Sequence, residues 1–183
     1  MFSGGTTDLL LAERSANGEI ILTPCGTSID LHAGQMIDRV GVALGLPFPC
    51  GPNWKIGTGA VRPYPLKVWF EEGCMSLSGP ATAALRAIEK GENGSEIALG
   101  TLHAIAKGLY HTISHLCAVH KLTEVLFVGG VSANLYIRKE LRTHLSGKGI
   151  ALLTADPICS TDGAIGNAWL GVLKERGNAH DLR

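Results

Sequence analysis

The chain has 183 residues, 16 Lys or Arg against 16 Asp or Glu, and 24 glycines. That length suits one domain with a sizeable core, and the formal net charge of zero gives no basic stripe that announces nucleic-acid binding. The glycines are not periodic, which excludes collagen and low complexity. Five cysteines, at 25, 50, 74, 117 and 159, include no CxxC pair, which argues against a disulfide framework or a structural zinc site and suits a reducing cytoplasm. No apolar run reaches about 18 residues, so no membrane span is expected. The start, MFSGGTTD, lacks a basic region before an apolar stretch, so no signal peptide is expected either.

In chain order, residues 7–13 read as a strand, Asn17-Gly18 as a turn and residues 19–22 as a second strand, together an antiparallel hairpin. Ala33, Met36, Ile37, Val40 and Leu44 keep helical spacing and predict a helix over 29–45. Residues 47–67 are rich in Pro and Gly and form the longest irregular stretch, of the kind that often carries function. A short strand is expected at 66–70 and a short helix at 81–88, closed by Gly91 and the Asn93-Gly94 turn. A long helix over 95–120 follows, with Ala98, Leu102, Ile105, Leu109, Ile113 and Leu116 on its apolar face. Then come a strand over 123–128, a helix at 133–145, a strand at 150–154 and a last helix at 163–174. The order predicts an α/β domain whose later strands are parallel.

Three glycine or hydroxyl motifs sit where a strand or a helix begins. Gly129-Gly130 offers bare backbone N–H groups at a helix start, where a ribose or adenosine can pack; a plain tight turn with Ser132 or Asn134 as the cap explains it equally. Ser3, Gly4, Gly5, Thr6 and Thr7 can form an anion-binding nest or simply enter the hairpin. Ser160, Thr161, Asp162 and Gly163 either cap the last helix or supply a carboxylate to a hard cation. Asp38 lies off the apolar face of its helix and reads as a solvated surface carboxylate unless a ligand claims it. His111 and His115 share a helical face, which is expected to be solvated rather than metal-binding.

Five segments in order resemble the tRNA threonylcarbamoyladenosine synthase family, also called the O-sialoglycoprotein endopeptidase or glycoprotease family: FSGGTTDLL, SIDLHAGQMIDRVGVALGLPFPCGP, MSLSGPATAALR, VLFVGGVSANLYIRKEL and STDGAIGNA. The resemblance implies a ribonuclease-H-like lobe of the actin-like, sugar-kinase and heat-shock ATPase superfamily. It implies a single C-terminal lobe over 1–183, with an N-terminal lobe missing. By it, Ser3, Gly4 and Gly5 line the phosphate and carbamoyl end of an adenylate. Asp38 bonds its ribose or threonyl part, Gly51 permits close backbone approach, Asn134 contacts the nucleotide beyond Gly129 and Gly130, and Asp162 is a metal ligand. The implied cofactors are a divalent metal (iron, zinc or magnesium) and an adenylate or ATP. The family's first-lobe metal histidines precede SGG and are absent from this chain.

The implied chemistry is threonylcarbamoyl transfer to an adenosine of tRNA, reached through a complex, in the cytoplasm and without a membrane. A paralogous partner or a homodimer is expected. The chain departs from the family pattern at Thr6, Gln35, Cys50, Lys55 and Ala81, several of them near the expected substrate, and is expected not to turn over substrate alone. Two other readings stay open: a non-catalytic paralogue that dimerises in the tRNA-modifying complex, and another nucleotide-binding kinase or carbamoyltransferase of the superfamily. A protease is not expected, because no nucleophile–base pair is visible.

Overall fold

The structure, a computed structural model, describes residues 5–51, 54, 60 and 62–155. Strands β1 (Asp8–Arg14) and β2 (Ile20–Ser28) pair antiparallel. Their turn is closed by the Ser15 N–H to the Glu19 carbonyl at 2.8 Å, with Gly18 at φ +81°. The expected second strand ends at residue 22, yet β2 runs on to Ser28 through Pro24. The register shifts between Leu9 and Leu10, so Cys25 becomes an extra residue beside Pro24. A bulge tolerates a residue with no N–H to donate.

Helix α1 (Ala33–Ala43) starts later than the expected 29. Asp30 uses its carboxylate to accept the Leu31 N–H at 2.6 Å, which holds that stretch outside the helix. The Ala33 N–H then donates to Thr7 Oγ1 at 2.8 Å, so a buried threonine from the hairpin entry takes up one of the helix's orphan donors. Gly45, at φ +84°, ends the segment.

Where one strand was expected at 66–70, there are two short ones. β3 (Trp69–Glu71) and β4 (Cys74–Ser76) are antiparallel, and β4 also pairs parallel to β2, giving the order β1-β2-β4-β3. Glu72 and Gly73 between them have φ +44° and +83°, the paired positive values that a two-residue hairpin turn needs.

Helix α2 (Ser78–Glu89) leads to α3 (Gly94–His120). Asn93 is the N-cap of α3, accepting the N–H groups of Ser95 and Glu96 at 2.9 and 3.1 Å. The six expected apolar positions are all buried, and so are Thr101, Thr112, Ser114 and Cys117. The helix is therefore central, with neighbours on most sides. Thr101 and Thr112 satisfy their hydroxyls on carbonyls four residues back, each at 2.9 Å. Gly100 and Gly108 let neighbours approach. A Cβ would stand 2.4 Å from the Tyr64 carbonyl at the first and 2.8 Å from Met75 Sδ at the second. Full burial of Ile105, Leu109 and Ile113 contributes about 1.5–3 kcal/mol each.

The expected parallel strand–helix–strand is present. β5 (Glu124–Phe127) and β6 (Ala151–Thr154) pair parallel, joined by a 3-10 turn at Gly130–Ala133 and helix α4 (Leu135–Ser146). The expected helix at 163–174 lies outside the described residues. Among those described, no helix is long and apolar enough to cross a membrane.

Candidate functional site

Three of the singled-out segments gather around α1. Thr7 joins the SGGTT segment to the first turn of α1 and also accepts the Ser28 N–H on its carbonyl at 3.0 Å. One turn further on, Asp38 Oδ1 accepts the Cys50 N–H at 2.8 Å, which draws the Pro-rich loop back over the helix. The 3-10 turn at Gly130–Ala133 packs against the same helix.

Asp38 is thus half-buried and engaged, not the freely solvated carboxylate that the helical wheel suggests. Cys50 is fully buried, and a Cβ on Gly41 would stand 2.6 Å from the Cys50 Cβ. Burial pushes the Cys50 thiol up, and the Asp38 charge pushes it further.

The strand of the glycine pair ends because Gly129 has φ +100°, a conformation that an L side chain rarely adopts. The cap of α4 is Asn134, whose Oδ1 accepts the Ile137 N–H at 3.1 Å. Ser132 does not cap: its hydroxyl is buried and has no partner among the described residues. Arg138 donates through Nε to the Ser132 carbonyl and through its terminal nitrogen to the Ala155 carbonyl at 3.0 Å. It therefore ties the glycine turn to the end of β6, the segment that leads toward Asp162. Ser3, Gly4 and Asp162 lie outside the described residues, as does Lys55. Among the described residues, no group of three His, Cys, Asp or Glu side chains could hold a metal ion.

Sequence reasoning missed Asp30. Its carboxylate accepts the Ser76 hydroxyl at 2.6 Å, the Leu77 N–H at 2.9 Å, the Ser78 N–H at 3.3 Å and the Ser78 hydroxyl. It binds the SID segment to the SLS segment and anchors the start of α2. Burial pushes this carboxyl up, but the hydroxyls of Ser76 and Ser78 and the N–H groups of Leu77 and Leu31 outweigh it and hold it at about 2. The available signal was an Asp just before one helix and two serines around the start of another.

The departures from the family pattern also have structural uses. Gln35 Oε1 accepts the His32 N–H at 3.2 Å at the start of α1, and Ala81 is buried in the core. His111 is half-buried and stacks flat on Phe70, with ring centroids 3.9 Å apart. It is not on the solvated face expected of it, although His115 is exposed.

Most of the described glycines fall into three groups. Gly18, Gly45, Gly73, Gly91, Gly129 and Gly149 have positive φ. Gly26, Gly41, Gly94, Gly100 and Gly108 have atoms closer than 3.4 Å to where a Cβ would stand. Gly5, Gly51, Gly79 and Gly130 have neither: a Cβ on each would meet nothing within 4 Å among the described residues. Those four fall one each in SGG, CGP, LSG and the glycine pair. A glycine with no steric or conformational reason costs chain entropy for no return within the fold.

The sheet order, the glycine turns and the central helix define a mixed α/β lobe. A solved structure titled "full-length HypF in the phosphate- and nucleotide-bound form" matches 76% of this chain and 19% of its own, with a TM-score of 0.58 and 17% identity, a likeness of fold. The family described as "TsaD: tRNA N6-adenosine threonylcarbamoyltransferase" matches residues 1–169. Curated relatives with that name include one from Symbiobacterium thermophilum, 30% identical over 98% of this chain and 54% of its own length. Another, from Bacillus subtilis, is 30% identical over 98% and 55%, and one from Methanopyrus kandleri is 28% identical over 93% and 48%. The chain belongs to the tRNA N6-adenosine threonylcarbamoyltransferase family. It spans about half the length of these relatives.

Proposed function

We propose that this chain forms the nucleotide-binding lobe of a tRNA-modifying transferase and receives an adenylate whose threonylcarbamoyl group passes to a tRNA adenosine. The observation that carries this is the set Gly5, Gly51, Gly79 and Gly130, whose missing side chains leave open space that no described residue fills. Open glycines at turns, loops and helix starts give close access to backbone N–H donors. Asp38 and the Cys50 N–H fix the position of Gly51, while Thr7 and Ala33 fix the entry after Gly5. Oriented N–H groups at these turns would stabilise charge developing on the carbamoyl and phosphate oxygens.

A divalent metal belongs to this reading through Asp162. The described residues add no ligand set to it; what they contribute on this reading is their glycine turns and carboxylates. On this reading the lobe acts with further protein, in the cytoplasm and within a complex that presents tRNA. A second reading, a non-catalytic partner of that complex, is favoured by Gln35, Cys50 and Ala81, which serve the fold where the family pattern has other residues.

Calorimetric titration of the chain with ATP and Mg²⁺, beside Gly130→Ala, Gly51→Ala and Asp162→Ala, tests the first reading. Binding that weakens in the variants while their melting temperatures hold supports it. Absence of binding by the native chain, or equal binding by all variants, overturns it and leaves the partner role.

A further inference from the structure

Whole-chain neutrality hides an uneven distribution. Residues 97–155 carry six Lys or Arg (Lys107, Lys121, Arg138, Lys139, Arg142 and Lys148) against two acids, Glu124 and Glu140, and five of the seven histidines. Helices α3 and α4 pack together here. A cavity of about 190 Å³ opens between them, lined by His103, Lys107, Tyr110, His111, Glu140 and His144.

Four of its lining residues, His103, Tyr110, His111 and His144, carry aromatic rings, while Phe70 and Lys148 line the cavity beside it. Phe70 lies parallel to His111 within 4°, and Tyr110 meets His111 edge-on with centroids 4.9 Å apart. Lys148 Nζ stands 5.2 Å from the Tyr110 ring centroid. Glu140 is held between imidazoles, with Oε2 3.7 Å from both His103 Nδ1 and His144 Nε2. A second cavity of about 420 Å³ shares His111 with it and is lined also by Phe70, Glu71, Glu72 and Lys148. None of these residues belongs to the glycine turns.

Ring faces flanked by ammonium groups match what an unpaired nucleotide offers, a π-face and a phosphate on either side. An acidic protein segment would use the cations and leave the rings idle. We propose that the cleft between α3 and α4 is an RNA contact: an unpaired base packs against Tyr110 and the His111–Phe70 stack, and its flanking phosphates meet Lys107 and Lys148. This rests on the tRNA reading above and adds where the RNA lies.

The test is fluorescence anisotropy of a labelled RNA stem-loop carrying an unpaired adenosine. The native chain is compared with Lys107→Gln, Lys148→Gln, Tyr110→Ala and the apolar, ring-free Tyr110→Leu, and each preparation is also titrated with ATP. Each lysine variant is expected to lower the salt dependence of binding by about one phosphate contact. The tyrosine variants are expected to weaken stem-loop binding about tenfold or more and to leave ATP binding unchanged.

No RNA binding by the native chain overturns the cleft, and so does equal binding by the lysine variants. Full competition by inorganic phosphate would show anion binding only, and tighter capture of an acidic peptide would show a protein surface; either overturns it. Lost ATP binding with RNA binding retained would sink the adenylate reading and keep the cleft.

Discussion

Asp38 accepts the backbone N–H of Cys50 at 2.8 Å, so one carboxylate both marks the middle of α1 and fixes the loop that carries Gly51. Asp38→Ala leaves that N–H without its partner and is expected to cost about 1–3 kcal/mol. Asp38→Asn keeps an acceptor and should cost less. Because the Asp38 charge is one of two causes raising the Cys50 thiol, Asp38→Asn should also lower the thiol's pKa. Urea denaturation measures the first effect, and the pH dependence of Cys50 alkylation in a background with the other cysteines replaced measures the second.

Asp30 predicts acid sensitivity. Its carboxyl is held at about 2 in the fold against an ordinary 3.8. A depressed folded pKa contributes stability that is fully present above the unfolded value and is lost as pH falls through the folded one. The window therefore runs from about pH 4 down to about pH 2. Asp30→Asn should lower stability at neutral pH and flatten the decline across that window. Chemical denaturation midpoints of both proteins across this range decide it, and parallel curves would remove Asp30 as the cause.

Glycine substitutions should split according to their surroundings. Gly41→Ala drives a Cβ to 2.6 Å from the buried Cys50 Cβ and should cost about 1–3 kcal/mol. A Cβ from Gly130→Ala or Gly51→Ala meets no described residue within 4 Å, and these variants should be neutral or stabilising by up to about 1 kcal/mol. Gly79→Ala, in the first turn of α2, should stabilise by about the same amount. Melting temperatures give the ranking. The adenylate reading needs the open-site variants to lose ligand affinity while they keep or gain stability.

Elements that depend on local pattern were legible in the sequence. The apolar run ending in Gly129 and Gly130 predicted β5 and its turn, and the apolar face over 95–120 predicted α3. Features that depend on partners distant in sequence were not. The start of α1 is set by Thr7, whose hydroxyl accepts the Ala33 N–H from 26 residues away in sequence. Asp38 looked solvated on a helical wheel because the loop that covers it was invisible there. The strands β3 and β4 are too short for periodicity, and their Glu72-Gly73 turn lacks the usual Asn-Gly signal. Asp30 looked like an ordinary residue before a helix because Ser76 and Ser78 reach it only in the fold. The basic bias of residues 97–155 was available in the sequence but was lost in the whole-chain sum.

His111 predicts a second pH dependence, opposite in chemistry to that of Asp30. Burial lowers its pKa below 6.5, and the charges of Lys107, Lys148 and His144 lower it further. The neutral ring is therefore the form that stacks on Phe70. A histidine with a lowered folded pKa contributes stability that is complete above about pH 6.5 and lost as pH falls through the folded value. His111→Phe keeps a ring against Phe70 and removes the titration, so its stability should no longer decline through this site between neutral pH and the folded pKa. Lys107→Gln and Lys148→Gln should raise the His111 pKa by removing two of the repelling charges. Following the His111 ring protons by NMR against pH in the native chain and both lysine variants measures this directly, and an unchanged midpoint would show that these ammonium groups do not face the ring.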